Sequence, residues 1–262
     1  MAEGPAIIVS QDGPVARVTM NRPAVHNAFN EEVIAALAAA FQRLGQDERV
    51  RAVVLAGEGP SFSAGADLEW MRRAASWSEE ENRRDALALA AMLRSIAECP
   101  RPVVARVQGN AFGGGVGLVA AADLAVATRS AQFAFTEVRL GLAPATISPY
   151  VVEKIGPGWA LRLFLTGERV SAQRAQEIGL VYRVVPDEEL DAAVEETLRA
   201  LLSGGPHAQA EIKRLVRTVV ASRGPQVDEF TSSLIAGLRT GTEGQEGIRA
   251  FLERRRPEWS VH

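Results

Sequence analysis

Between positions 109 and 124 the chain reads GNAFGGGVGLVAAADL: three consecutive glycines, a fourth two residues on, and no charge until Asp123. Without a side chain, glycine lets other atoms come directly against its backbone N–H group. Where such a cluster opens a helix, the first-turn N–H groups have no partner and the helix dipole favours negative charge beside them. Three architectures use a stretch of this kind: a dinucleotide-binding turn, a close helix–sheet contact, and a cradle for an oxyanion. GVGLVA satisfies G-x-G-x-x-A, follows the buried run VVARV, and has an acid, Glu137, about twenty residues on. Against that reading, the helix it opens has only about six residues before Asp123, whereas a crossover helix between parallel strands needs about ten or more. It also leaves the strand–helix set that precedes it unexplained.

A second small-residue turn favours the oxyanion cradle. GPSFSAGADL follows the apolar strand RAVVLAG and opens a helix through Leu68, offering the N–H groups of Ala64, Gly65 and Ala66. Two buried strands thus each end in a glycine–alanine turn. As neighbours in a sheet, they would aim two N–H donors at one oxygen, which is what a thioester enolate requires.

The rest of the chain supports an α/β architecture. AIIVSQDGPVARVTM reads as two strands around a QDGP turn, with Pro23 ending the second. A helix is expected from the Asn30 cap, with two acids in its first turn and Gly45 as its stop. Another is expected from Ser78 to Ala97. RPVVARV, DLAVAT and AQFAF read as further strands. Beyond Leu140 the sequence turns mostly helical, with helices in SAQRAQEIGL (Ser171 start, Gly179 stop), PDEELDAAVEETLRALL, HAQAEIKRLVRTVVAS and GQEGIRAFLERRRPEW. Strand–helix alternation over residues 1–190 and a helical region over 191–262 are expected, with SGGPHAQ as the hinge.

NRPAVHNAF, FSAGADL, GNAFGGGVGL and AQFAFTEVRLGLAP, in this order and at these separations, resemble the enoyl-CoA hydratase/isomerase (crotonase) family. The resemblance runs from about Val9 to the C-terminus. Within the family, GADLEWMRR and TISPYVV are most similar to bacterial methylglutaconyl-CoA hydratases of leucine and isovalerate metabolism. It implies a crotonase-like spiral of ββα units with a helical C-terminal region that assembles into trimers or hexamers. It also implies an acyl-CoA substrate, so that coenzyme A is part of the substrate and no separate cofactor is needed. The family's oxyanion hole maps onto the N–H groups of Ala66 and Gly114, with Gly113 beside it. The turn holding Ala64, Gly65, Asp67 and Leu68 is implied to wrap the adenine and pantetheine, with Val25 and His26 adding contacts at the edge. Family hydratases flank a catalytic water with two glutamates. One maps onto Glu137; the other maps onto Gly117, which has no side chain. A polar group from APATISP, Thr146 or Ser148, is therefore expected to orient water in place of the missing acid.

The resemblance implies a hydratase or dehydratase of a branched thioester such as 3-methylglutaconyl-CoA / 3-hydroxy-3-methylglutaryl-CoA. One glutamate also suffices for a Δ3-Δ2-enoyl-CoA isomerase, and a non-catalytic CoA- or RNA-binding protein is the third reading. Composition weighs against nucleic acid: Lys and Arg number 29 against 32 Asp and Glu, and KRLVR (Lys213 to Arg217) is only a short basic helical run. A single cysteine, Cys99, and three scattered histidines make a zinc cluster unexpected; His207 and His262 read as solvated tail residues. The N-terminus has no basic stretch followed by a long apolar run, and no segment reads as a membrane span, so a cytoplasmic protein is expected.

Overall fold

The computed structural model describes residues 4–260; His262 lies outside them. β1 (Ile7–Asp12) and β2 (Val15–Met20) form an antiparallel hairpin, turning at Gly13, and α1 (Glu31–Gln46) follows. β3 (Ala52–Gly57) leads through a loop to α2 (Leu68–Ala74) and α3 (Glu79–Ala97). β4 (Val103–Val107) and β5 (Asn110–Phe112) precede α4 (Gly114–Ala121), and β6 (Leu124–Thr128) and β7 (Gln132–Ala134) precede a short 3₁₀ turn at Glu137–Leu140. Then come α5 (Ser148–Thr166), β8 (Arg169–Ser171), α6 (Ala172–Glu177) and β9 (Arg183–Val185). α7 (Leu190–Leu202), α8 (Pro206–Ala221), α9 (Pro225–Thr240) and α10 (Thr242–Leu252) complete the chain.

The strands make two sheets. The larger has the order β1-β2-β3-β4-β6-β9 and is parallel after the first hairpin. The smaller, β5-β7-β8, is extended by two isolated parallel bridges, Ser63 with Ala111 and Phe29 with Ala66. Each turn of the spiral thus contributes a strand to the first sheet and a short extended piece to the second. β3 is apolar along its length and buried throughout, as a parallel strand covered on both faces must be. Its residues alternate between two cores: Val53 and Leu55 pack with Phe41, Leu93 and Leu118, while Ala52 and Val54 pack with Leu190, Val194 and Leu198 of α7.

That second core assigns α7 to the sheet, although sequence placed it at the start of the helical tail. The tail proper begins at α8, just beyond the glycines of SGGPHAQ. Cations fasten it to the body: Lys213 Nζ lies 2.6 Å from Asp123 Oδ2, Arg217 donates to the Ala97 carbonyl, and Arg51 donates to the carbonyls of Gly204 and Trp259. α8 and α9 bury no residue fully, and Ile212, Val216 and Ile235 are about half exposed.

Candidate active site

The loop after β3 is shaped by residues of the 21–29 segment. The buried Asn27 amide donates to the carbonyls of Glu58 (2.7 Å) and Ser61 (2.8 Å), and the Ser63 hydroxyl donates to the Asn27 carbonyl (2.9 Å). Ala64 N–H goes to the His26 carbonyl (2.9 Å) and Gly65 N–H to the Ser63 hydroxyl (3.2 Å). Two of the three donors expected from sequence are therefore already engaged, one by the 21–29 segment and one within the turn. The third is free: among the described residues, Ala66 N–H has no hydrogen-bond acceptor.

The direction of that amide follows from its pairing. Phe29 N–H donates to the Gly65 carbonyl (2.8 Å), and Asp67 N–H donates to the Phe29 carbonyl (3.1 Å). A residue bracketed in this way turns its own N–H away from the strand that brackets it. The opposite side holds the second turn, because Ser63 N–H donates to the Asn110 carbonyl and Phe112 N–H to the Ser63 carbonyl. There Gly113 N–H is tied to the Ala134 carbonyl (2.8 Å), and α4 begins at Gly114, whose N–H has no acceptor in its own helix or elsewhere among the described residues. The two turns touch. A Cβ placed on Gly65, which has φ +87°, would lie 2.7 Å from the Phe112 carbonyl oxygen and 3.3 Å from the Gly114 nitrogen. Only glycine at position 65 permits both the left-handed conformation and this approach.

Glu137, the first residue of the 3₁₀ turn, reaches the same place. Its Oε1 lies 3.3 Å from where a Cβ on Gly113 would stand, so the carboxyl occupies space that any side chain at 113 would contest. Its Oε2 is buried and has no hydrogen-bond partner. Burial raises the carboxyl above the ordinary glutamate range; no charged neighbour enters the balance. The unpaired amides of Ala66 and Gly114 and the buried Glu137 carboxyl, the residues that the family resemblance implies for the site, thus lie on adjoining turns.

Gly117, one helical turn after Gly114, differs from expectation. A Cβ there would lie 2.3 Å from Ile147 Cγ2 and 2.9 Å from Ile147 Cβ, with Leu93 Cδ2 at 3.7 Å. The APATISP segment thus sends a buried isoleucine to Gly117, not a polar group. Thr146 is half-buried, and the Ser148 hydroxyl donates to the Ala145 carbonyl at 2.8 Å. Asp67 is likewise engaged inside the chain. It caps α2 by accepting from the Glu69 and Trp70 amides and lies 2.9 Å from the Arg22 guanidinium. Burial works against its charge, but the Trp70 amide, Arg22 and the Glu69 amide outweigh that and hold its carboxyl below the ordinary range. Leu68 and Val25 remain exposed on the outer lip of the turn, 75% and 42%, beside the exposed His26, whose Nδ1 is 3.1 Å from the Ser61 hydroxyl. Among the described residues no group of three or more His, Cys, Asp or Glu side chains could hold a metal ion, and no helix is long and apolar enough to cross a membrane.

Sequence reading missed Asn27, Phe29 and Ile147. The first two stand in the NRPAVHNAF motif, where a buried asparagine and an aromatic residue beside a turn were the available signal. Nothing local pointed to Ile147.

The model of the enoyl-CoA hydratase/isomerase family matches residues 10–262. The chain belongs to that family. An enoyl-CoA hydratase from Shewanella pealeana has a solved structure that superposes with a TM-score of 0.94 at 38% identity, over 97% of this chain and 96% of that one. Enoyl-CoA hydratase EchA19 of Mycobacterium tuberculosis is 31% identical over 98% of this chain and 97% of its own length. A trans-2-decenoyl-[acyl-carrier-protein] isomerase of Streptococcus mutans is 28% identical over 97% of each chain. The fold is thus the crotonase-like α/β spiral with a helical C-terminal region.

Proposed function

We propose that this protein adds water to, or removes it from, the C2–C3 bond of an acyl-CoA thioester. The observation that supports the reading is that the turns carrying the free Ala66 and Gly114 amides touch each other beside the buried, unpartnered oxygen of Glu137. A thioester whose C1 oxygen accepts from both amides has its electrons drawn toward that oxygen, so C3 of an enoyl chain becomes electrophilic and a C2 proton becomes acidic. Each such donor is worth about 2.7–4 kcal/mol to the transition state. In hydration the Glu137 carboxylate takes a proton from water as the water oxygen bonds to C3. The resulting enolate then receives that proton at C2, and the carboxylate is regenerated. A carboxyl raised by burial is suited to both halves of this cycle.

The acyl group we propose is branched and of the 3-methylglutaconyl type, supported by the likeness of GADLEWMRR and TISPYVV to hydratases of that thioester. Its distal carboxylate would supply the polar group that the protein does not place at Gly117. The contacts of Val25, His26, Ala64 and Leu68 with the adenine and pantetheine belong to the same proposal. So does assembly into trimers or hexamers, for which the half-exposed apolar residues of α8 and α9 offer a surface.

One observation favours a second reading. Ile147 closes the seat at Gly117 to any second acid, and double-bond migration needs only one carboxyl to remove a proton and return it two carbons away. A panel of enoyl, 3-enoyl and 3-hydroxyacyl thioesters, including 3-methylglutaconyl-CoA, separates the two. Loss of the conjugated-enoyl absorbance with formation of the 3-hydroxy product supports the hydratase. Gain of that absorbance from 3-enoyl substrates without hydroxylated product replaces it with the isomerase. Inertness toward the whole panel removes both.

A further inference from the structure

Phe29 bears on both turns that carry the free amides. Its main chain brackets Ala66, through the hydrogen bonds to the Gly65 carbonyl (2.8 Å) and from the Asp67 amide (3.1 Å), and so sets the direction of the Ala66 N–H. Its ring lies against the first residue of α4: a Cβ on Gly114 would fall 2.2 Å from Phe29 Cζ and 3.1–3.2 Å from Cε2 and Cε1. The ring is 1% exposed and is backed on α2 by Trp70, with centroids 6.3 Å apart. The two amides come from different turns of the spiral, about fifty residues apart in sequence. A bridge between them fixes their mutual aim, and an aromatic ring is a stiff one, since it has only two side-chain torsions and fills its space completely.

We propose that Phe29 is a positioning residue for the thioester site: it holds the Ala66 and Gly114 amides in register so that one oxygen receives both. This rests on the thioester reading above. Phe29 itself bonds to no substrate atom in this scheme; it acts through the two glycine–alanine turns. A donor mis-aimed by about 1 Å costs on the order of 10²-fold in rate, as does the loss of one oxyanion donor.

The test compares Phe29→Leu and Phe29→Ala with the unaltered protein, in kinetics and in the vibrational spectrum of bound butyryl-CoA carrying a ¹³C label at its carbonyl. That probe offers the same oxygen but has no double bond to hydrate. The expected result is a fall of about 10²-fold in kcat for Phe29→Ala, with KM within about threefold and a smaller loss for Phe29→Leu. The carbonyl frequency shift on binding should shrink in the same order. Unchanged kcat and an undiminished shift in Phe29→Leu overturn the proposal, as does a fall in kcat with the full shift retained. Absence of any shift in the unaltered protein removes the thioester reading instead. Geometry alone is probed by Gly114→Ala, followed by melting temperature. It should destabilise the unaltered protein more than the Phe29→Leu background; equal losses would show that the ring does not bear on Gly114.

Discussion

Gly113 and Gly117 lie four residues apart around the start of one short helix, yet their missing side chains are used in opposite ways. At Gly113 the vacant space admits a carboxyl, with Glu137 Oε1 3.3 Å from the absent Cβ. At Gly117 the space is filled by hydrocarbon, the Ile147 side chain, whose own burial is nearly complete. The first glycine makes room for a carboxyl and the second for hydrocarbon. The difference teaches that a glycine-rich motif does not by itself mark a binding surface: each glycine has to be judged by what enters its vacancy. Here the start of α4 has a buried carboxyl on one side and an apolar wall on the other.

The largest effect is expected where the carboxyl enters. Glu137→Gln keeps the shape but cannot exchange a proton, so kcat should fall by about 10²–10⁴-fold while thioester affinity changes little. Steady-state rates together with direct binding of a saturated acyl-CoA check this. Turnover near that of the unaltered protein would take the chemistry away from the Gly113 side.

The Gly117 side is broken differently. Gly117→Glu drives a side chain into Ile147 and buries a charge against Leu93, so the folded state should lose about 3 kcal/mol or more. Denaturant melts report it, and the loss should be partly recovered in Gly117→Glu combined with Ile147→Ala. Gly117→Glu with unchanged stability would mean that Ile147 yields readily and the wall is not fixed. A double variant that is both folded and faster at hydrating crotonyl-CoA would show that only the isoleucine keeps a second acid out.

The contrast also marks how far sequence could be read. Local signals were legible: Asn30 accepts from Val33 N–H, Ser78 and Glu81 form a reciprocal capping box, and Ser171 accepts from Arg174 N–H, all as the residue types announce. The two turns were legible because their motifs are contiguous, whereas Glu137 was singled out through the family resemblance. Gly45 was misread as a helix stop. α1 runs through it to Gln46, and a Cβ there would stand 3.0 Å from Pro100, so that glycine serves a close approach from a distant segment. Ile147 at Gly117 and Phe29 at Gly114 are of the same kind. They join residues 30 and 85 positions apart, and no periodicity or spacing encodes which side chain fills which vacancy. α9 went unassigned although Val227, Phe230, Leu234, Ile235 and Leu238 in PQVDEFTSSLIAGLRT recur at helical spacing; the periodicity was there to be read.

A smaller effect is expected at Asp67, which braces the turn supplying the Ala66 amide. Asp67→Ala removes the α2 cap and leaves Arg22, only 20% exposed, without its carboxylate. A stability loss of about 1–3 kcal/mol should follow. If Asp67 serves only the fold, KM for the thioester should stay within about twofold. A tenfold or larger rise in KM with unaltered stability would return the residue to the coenzyme A contacts first expected of it.

The smallest effect concerns Glu137 again, now as a burden on the fold. Its carboxyl binds a proton more tightly in the folded chain than in the unfolded one, because burial disfavours the charge. Between the ordinary glutamate range and its raised folded value, the native state therefore holds more protons. In that window the unfolding free energy declines as pH rises. Above the window the charged, buried carboxylate remains a net cost; below it, the cost vanishes. Glutamine at this position does not titrate, so Glu137→Gln should melt above the unaltered protein in neutral and mildly alkaline buffer. That advantage should shrink as the buffer is taken down through the carboxylate range. The acid limb of kcat/KM should sit in the same raised window, since the base must lose its proton to work. A melting difference that stays constant with pH, or grows in acid, would mean that the carboxyl is not desolvated and that the polar side of α4 is as open as its apolar side is closed.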